Sequence, residues 1–236
     1  MRNYFVLNAK NSKDYGVYIS GGGTFNAPRR NREKVTIPGR NGALTIDNGC
    51  YENIPIEYPA FIYDNFNANI SAFRNMLLTN KKYVRLEDSY HPDEYRLALY
   101  DGDFQADVID NLRAGEFTLS FDCYPQRFLK SGEVATEFTA AGSLLNNTDH
   151  SALPLLRAYG DGTLTINGTS IVISGSDTYT DIDCELMEAY KDTMASNKNS
   201  TITLSNGEFP KLDPGENAIS FSGLSKLIIT PRWWIL

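Results

Sequence analysis

The sequence predicts a mainly β protein of two domains, in which the first domain carries one helix packed on a sheet and the second is a β-sandwich. Short runs rich in Val, Ile, Thr and aromatic residues recur along the 236 residues, separated by Gly, Asn, Asp and Pro. Only one segment has helical periodicity, and regular patterning fades between residues 126 and 151. We therefore predict one domain over 1–130 and another over 131–236, with a linker at about 126–151.

The first domain opens with short strands. The runs YFVLN, GVYIS, KVTIP, ALTID and IPIEY are rich in β-formers and are separated by turn sequences. Gly21–Gly23 is followed by neither GK[ST] nor a helical pattern, so a turn is predicted there rather than a phosphate cradle. The basic stretch PRRNREK, residues 28–34, is interpreted as a solvated loop, with a phosphate site as the alternative.

One helix is predicted over residues 65–80. Apolar side chains recur there at steps of four, three and four, at Phe66, Ile70, Phe73 and Leu77. Asp64, Asn65 or Asn67 can cap its start and Asn80 can end it. A helix with a single apolar stripe has to cover another element, and we expect it to lie across the sheet.

Two further strands and a buried one complete the first domain. YVRLED and EYRLALYDGDF are joined by SYHPDE, which suits a turn. Because both faces of this hairpin are polar and aromatic, it is predicted to be an arm that touches a neighbouring subunit. In residues 115–125, GEFTLSFDCYP, apolar and polar residues alternate, which indicates a strand with one buried face.

The second domain contains only strand patterns. LPLLRAYG, GTLTING, TSIVIS, TYTDIDCELMEAY, STITLS, AISFSG and KLIIT are separated by GDGT, NGT, SNGEF and DPGEN. About seven short strands at this spacing are typical of a sandwich, and the DG and NG pairs predict tight hairpins.

Composition excludes several classes. The formal net charge is −7 and the pI about 4.9, which disfavours nucleic acid as a partner of the surface. No apolar run reaches the roughly 18 residues that a membrane span needs, and the first residues lack a secretion signal, so we expect folding in the cytoplasm. Cys50, Cys123 and Cys184 are odd in number and widely spaced, which predicts reduced, structural thiols.

Residues suited to catalysis are scarce. His91 lies in a turn sequence and His150 in the predicted linker, so both are expected at the surface. Four carboxylates cluster in DTYTDIDCE: Asp177, Asp181, Asp183 and Glu185. On an extended strand the last three share a face that could bind calcium or act as a glycosidase pair, but a solvated face is the favoured interpretation. We predict no catalytic residue, cofactor or metal.

The chain ends on ITPRWWIL, which contains both tryptophans of the sequence, Trp233 and Trp234. Chain ends are ordered when a strand or a docking contact holds them. We predict that these two side chains dock within the protein, the alternative being a surface kept for a partner or a sugar.

Several stretches together resemble the distal tail proteins of siphophages, phages with long non-contractile tails. They are IPGRNGALTID, NIPIEYPAF, FTLSFDCYPQRFLKSG, YTDIDCE, LDPGENAISFSG and ITPRWW, in consistent order from Tyr4 to Trp234. The resemblance indicates a phage of a Gram-positive host or a prophage. It implies a structural virion protein rather than an enzyme.

The resemblance also implies an assembly. Family members form a homo-hexameric ring at the tail tip, between the tail-tube protein and the tail-associated hub protein. Their amino-terminal domains build the ring, and their galectin-like carboxy-terminal sandwiches help carry the receptor-binding protein. Two alternatives remain open, a monomeric glycan-binding module and, more weakly, a glycosidase that uses the cluster from Asp181 to Glu185. Against the sugar site, the second domain has no histidine within its strands.

Overall fold

A computed structural model describes residues 2–23, 25–109 and 113–236. The chain divides into two compact units, the first comprising residues 1–127 with Leu236 and the second residues 128–235. The protein is mainly β, as predicted. No helix in the described parts of the chain is long and apolar enough to cross a membrane.

The first unit is built on one antiparallel sheet, a separate two-stranded ribbon and a helix. The strands of this unit are β1 Phe5–Leu7, β2 Lys10–Asn11, β3 Val17–Ile19, β4 Arg30–Thr36, β5 Ala43–Tyr51, β6 Ile54–Ile62, β7 Val84–Asp88, β8 Glu94–Tyr100, β9 Ala106–Ile109 and β10 Ala114–Cys123. The sheet follows the order β2–β1–β7–β8–β10–β6–β3, β9 also pairs with β10, and β4 and β5 form the ribbon. A 3-10 helix spans Ser12–Tyr15.

The central pair of this sheet follows directly from the alternation in the sequence. Along β10 every second residue is buried, and the same holds along β6. The register places Phe121 opposite Ile56 and Leu119 opposite Tyr58, so the buried side chains of both strands share one face. Phe5 joins them, with its ring 5.7 Å from that of Phe121. The other face of β6 and β10 is left to solvent.

Helix α1, Phe66–Leu78, covers the buried face of the sheet, as the sequence predicts. Phe66, Phe73, Met76 and Leu77 are buried and Ile70 is partly buried. Asn65 precedes the helix in the left-handed conformation and its side chain makes no cap hydrogen bond. Asn80 Nδ2 instead donates to Met76 O after the last turn.

The second unit is a sandwich of a six-stranded and a five-stranded sheet, more strands than the seven that the sequence indicates. The strands are β11 Arg127–Leu129 at the boundary, β12 Thr136–Phe138, β13 Gly142–Asn146, β14 Leu155–Tyr159, β15 Gly162–Ile166, β16 Thr169–Ile173, β17 Tyr179–Asp183, β18 Glu188–Lys191, β19 Thr193–Asn197, β20 Ile202–Leu204, β21 Gly215–Ser222, β22 Lys226–Thr230 and β23 Trp234–Ile235. The sheet orders are β12–β22–β14–β17–β18–β19 and β13–β21–β15–β16–β20. Two 3-10 helices lie at Lys130–Glu133 and Asn199–Thr201.

Side chains from both sheets of the second unit form one core. Leu156 and Ile229 come from the six-stranded sheet, Leu164 and Ile171 from the other, and all four are completely buried. The predicted NG hairpin is present, because Asn167 and Gly168 join β15 to β16 with φ of 50° and 84°.

Two stretches of the chain differ in secondary structure from what their sequence patterns indicate. The segment 126–151, where the sequence predicts a linker, contains β11, β12, β13 and a 3-10 helix. β11 and β12 have only three residues each and β13 is exposed at three of its five positions, so none of them carries an alternation long enough to be recognised in the sequence. The run TYTDIDCELMEAY is not one strand but the hairpin β17–β18, with Glu185 in its turn.

Candidate functional site

The ribbon β4–β5 is the most exposed regular structure of the first unit. Its register sets Val35 opposite Leu44 and Glu33 opposite Ile46, so these side chains share one side. Val35, Leu44 and Ile46 are 37%, 48% and 44% exposed. A two-stranded ribbon is marginally stable alone in water, and a cluster of exposed aliphatic side chains is typical of an interaction surface.

The opposite side of the ribbon is polar and largely basic. Arg32 lies opposite Asp47 and Lys34 opposite Thr45. Arg30 Nε donates to Asp47 Oδ2 at 2.8 Å, and Gly49 N donates to Asp47 Oδ1. The amide of Gly49 and then the guanidinium of Arg30 lower the pKa of Asp47. The basic stretch 28–34 is therefore solvated as predicted, but most of it lies in a strand rather than in a loop.

The base of the ribbon is tied to the main sheet by side chains. Asn53, directly before β6, donates from Nδ2 to Tyr83 Oη and to Asp122 Oδ2, each at 2.8 Å. Tyr83 also donates to Asp122, and this bond raises the pKa of Tyr83 to about 12. Glu52 N closes the base by donating to Arg29 O.

The hairpin that the sequence predicts to be an arm, β7–β8, lies inside the main sheet instead. β7 pairs with β1 and β8 pairs with β10. Leu86 and Ala98 are buried in the core, and Arg96 is only 9% exposed. Burial lowers the pKa of Arg96. The sequence predicts an arm because both faces of the hairpin are polar and aromatic, but the aliphatic stem of an arginine such as Arg96 can be covered inside a fold.

An open cleft lies on the outer face of the same sheet. Its lining includes Phe61, Asp103, Asp107, Glu116 and Thr118. Asp107 and Glu116 are direct partners in the pairing of β9 with β10, so two like charges stand side by side and exposed. Neither carboxylate forms an ion pair with any residue in the described parts of the chain.

The two terminal tryptophans pack within the second unit. Both are partly buried against its core. Trp234 Nε1 donates to Ser151 O at 3.1 Å, and its ring stacks on His150 with centroids 4.3 Å apart. Leu129 N donates to Trp233 O at 2.8 Å. His150 is thus half of a stacked pair rather than a free surface residue.

A glycine makes room for this end of the chain. Arg232 N donates to Gly132 O at 2.8 Å. A Cβ on residue 132 would stand 2.2 Å from Trp233 N, a contact that backbone atoms do not tolerate. Arg232 itself has a φ of 58°, a left-handed conformation that is uncommon outside glycine.

The carboxylate cluster is not the solvated face that the sequence indicates. The side chains of Asp181 and Asp183 are each only 2% exposed. Arg157 Nε and Nη2 donate to Asp181 at 2.6 and 3.0 Å, and Arg232 Nη1 and Nη2 both donate to Asp183 at 2.7 Å. The sequence did not show these pairs, because Arg157 is 24 and Arg232 is 49 positions from its partner.

The electrostatics of Asp183 follow from this pairing. Burial by itself would raise the pKa of its carboxyl group, but Arg232 and the amides of Leu186 and Glu185 outweigh burial and lower it. Asp183 is therefore an ionised, fully bonded structural group. Asp177 and Glu185 are the exposed members of the carboxylate cluster. Asp177 forms an ion pair with Lys198, and Glu185 forms one with Arg232.

The remaining candidates for catalysis are held in structural contacts. The sequence predicts His91 at the surface, but its side chain is only 19% exposed and its Nδ1 lies 3.2 Å from Asp88 Oδ1. Cys123 and Cys184 are buried and free, and burial raises both pKa values to about 12, while Cys50 is exposed. Over the described ranges, no His, Cys, Asp and Glu side chains are grouped so as to hold a metal ion.

Comparison with known proteins gives a match to a phage family. Residues 10–123 match the family model of the phage tail protein RIFT-related domain. No curated protein sequence matches the chain.

Solved structures extend the likeness to the whole chain. It is similar to the Dit protein of phage SPP1, described as a paradigm of hub adsorption apparatus in phages that infect Gram-positive bacteria, with 17% identity, full coverage of both chains and a TM-score of 0.75. It is also similar to chains of the phage p2 baseplate in its activated conformation with Ca and with Sr. These matches have 11% identity, cover 97% of each chain and have TM-scores of 0.54 and 0.56.

Proposed function

We propose that this chain, a phage tail protein with the fold of the siphophage distal tail proteins, forms a hexameric ring at the tail tip. The ring joins the tail-tube protein to the tail-associated hub protein and helps to carry the receptor-binding protein. It assembles in the cytoplasm of the bacterial host and acts in the virion. Its role is structural rather than catalytic.

The exposed ribbon carries this proposal. It belongs to the unit that matches the phage tail family, and the aliphatic side chains on one of its sides are between 37% and 48% exposed. Burying that side against another copy removes Val35, Leu44 and Ile46 from water. Apolar burial contributes roughly 25 cal/mol per Å², which favours association.

The negative net charge of the chain is compatible with a ring through which DNA passes. Six copies at −7 each carry −42. A negatively charged wall repels phosphate groups, so DNA passes through such a ring without binding to it. The ring therefore needs no specific nucleic-acid site.

The tryptophans are the main argument for the glycan-binding alternative, but both are partly buried. Trp234 donates to Ser151 O, and its ring stacks on His150. An aromatic platform for a sugar needs an open ring face. We keep the ring as the single proposed function.

The test is the mass of the full chain in solution, measured by light scattering and native mass spectrometry, with negative-stain images of the particles. We expect hexamers or stacked rings with a central channel. A strict monomer at high micromolar concentration that is retained on a glycan column would contradict the proposal.

A fragment comprising residues 1–130 tests which unit builds the ring. We expect this fragment to form oligomers, since it contains the ribbon, the helix and the main sheet. A monomeric fragment 1–130 together with an oligomeric fragment 131–236 would reverse the assignment.

A further inference from the structure

The polar side of the ribbon β4–β5 has a charge opposite to that of the chain. On this side Arg32 and Lys34 lie opposite Asp47 and Thr45, and Arg30 also bonds Asp47, so three cations accompany one carboxylate although the whole chain is acidic. Lys34 on this side, Arg29 just before β4 and Arg40 in the loop that joins the two strands are exposed and form no ion pair in the parts of the chain that the structure describes. The ribbon therefore presents cations that are free to meet an acidic partner.

A surface of complementary charge lies on the same unit. The cleft on the outer face of β6, β9 and β10 brings together Asp103, Asp107 and Glu116, with Phe61 as an apolar wall. The direct pairing of Asp107 with Glu116 is unfavourable in the isolated chain, because like charges opposite one another destabilise a strand pair. A cation placed between them converts this repulsion into attraction.

We propose that the basic side of the ribbon of one copy docks into this acidic cleft of the next copy. This inference rests on the proposed ring and names the two surfaces that meet in it. The contact is between copies, because ribbon and cleft residues are both exposed within a single chain.

A contact between two different surfaces is compatible with a ring. Ribbon and cleft are different surfaces, so each copy uses its ribbon on one neighbour and its cleft on the other. Such heterologous contacts form closed rings when the rotation between copies closes. The strand β5 has nine residues, and an extended strand of that length reaches about 30 Å. The ribbon can thus extend well onto a neighbouring subunit.

Two charge-reversed full-length variants test the contact. The ribbon variant carries Lys34→Glu and Arg40→Glu, and neither side chain has an ion pair to lose among the described residues. The cleft variant carries Asp107→Lys and Glu116→Lys, which keeps two like charges opposite each other and so leaves the balance within the sheet similar. We expect each variant alone to need at least about tenfold more protein for half-assembly.

A mixture of the two variants gives the decisive result. The acidic ribbon of the first variant fits the basic cleft of the second, and the basic ribbon of the second fits the acidic cleft of the first. An equimolar mixture should therefore restore rings with alternating copies, which a folding defect cannot do. Higher NaCl should weaken the wild-type rings, because exposed charges are screened.

Matched controls use the same charge changes elsewhere on the first unit, namely Lys10→Glu with Lys81→Glu, and Asp14→Lys with Asp93→Lys. These residues are exposed and lie outside ribbon and cleft. Wild-type rings that persist in both test variants, or a mixture that fails to assemble although both variants fold, would overturn the contact and leave the ring intact. A monomeric wild type would overturn both.

Discussion

The ribbon β4–β5 and the hairpin β17–β18 each carry an aspartate that forms an ion pair with an arginine, but the two ion pairs differ in exposure. Asp47 of the ribbon is 39% exposed beside Arg30, whereas Asp183 of the sandwich is 2% exposed beside Arg232. An exposed ion pair contributes little to stability, but breaking a buried one leaves an uncompensated charge. We expect changes in the sandwich to affect folding and changes in the ribbon to affect assembly.

The largest effect is expected from Asp183→Asn. It removes the charge that balances Arg232, whose side chain is only 25% exposed, and should lower the free energy of unfolding of the second unit by about 3 kcal/mol or more. Thermal melting of the full chain measures this loss. Asp177→Asn, at a carboxylate 64% exposed, is the matched control and should melt like the parent. Equal melting temperatures for the two variants would mean that the carboxylate cluster is a solvated face after all.

Trp234→Ala should produce the next largest loss. The ring of Trp234 packs on His150 and the core, and its Nε1 bonds Ser151 O. Complete truncation of a buried tryptophan costs about 3–5 kcal/mol, so a partly buried one should cost about 2 kcal/mol. Trp233→Ala is measured beside it by the same melting experiment. If both variants melt like the parent but no longer bind a tail partner or a glycan, the side chains serve a partner and internal docking is wrong.

Acid should weaken the sandwich through the same aspartate. The pKa of Asp183 is lower in the folded state than its ordinary value of about 3.9, so the ionised form stabilises the fold. This stabilisation is present above about pH 4 and is lost as the pH falls through the folded pKa. Melting between pH 6 and pH 2 should show a steeper acid loss in the parent than in Asp183→Asn. If the melting temperature falls with pH in parallel for the two proteins, Asp183 is not the group responsible for the loss of stability in acid.

The smallest effect on stability is expected from Val35→Ser combined with Leu44→Ser on the ribbon. Surface changes of this kind usually alter stability by no more than about 0.5 kcal/mol. Assembly should nevertheless weaken, because the apolar side that we expect a neighbour to cover is lost. Leu78→Ser, at a side chain 61% exposed on α1, is the control and should leave the rings unchanged. A double variant that melts early but assembles normally would contradict the division of labour between ribbon and sandwich.

The elements with a local cause follow from the amino-acid sequence alone. The alternation in residues 115–125 specified β10, the apolar spacing from Phe66 to Leu77 specified α1, and Asn167-Gly168 specified a tight hairpin. In each case the physical cause lies within about a dozen neighbouring residues, through the period of two of a strand, the period of 3.6 of a helix, or the positive φ of a turn.

Which surfaces these elements cover depends on the contacts of the folded chain. Of two polar hairpins in the first unit, β7–β8 entered the sheet and β4–β5 stayed outside it, because β1 and β10 pair with the former. Asp183 became a buried structural charge because Arg232, distant in the chain, folds back onto it. Burial and pairing depend on partners that are remote in sequence. The local periodicity of the chain contains no information about where those partners lie in the fold.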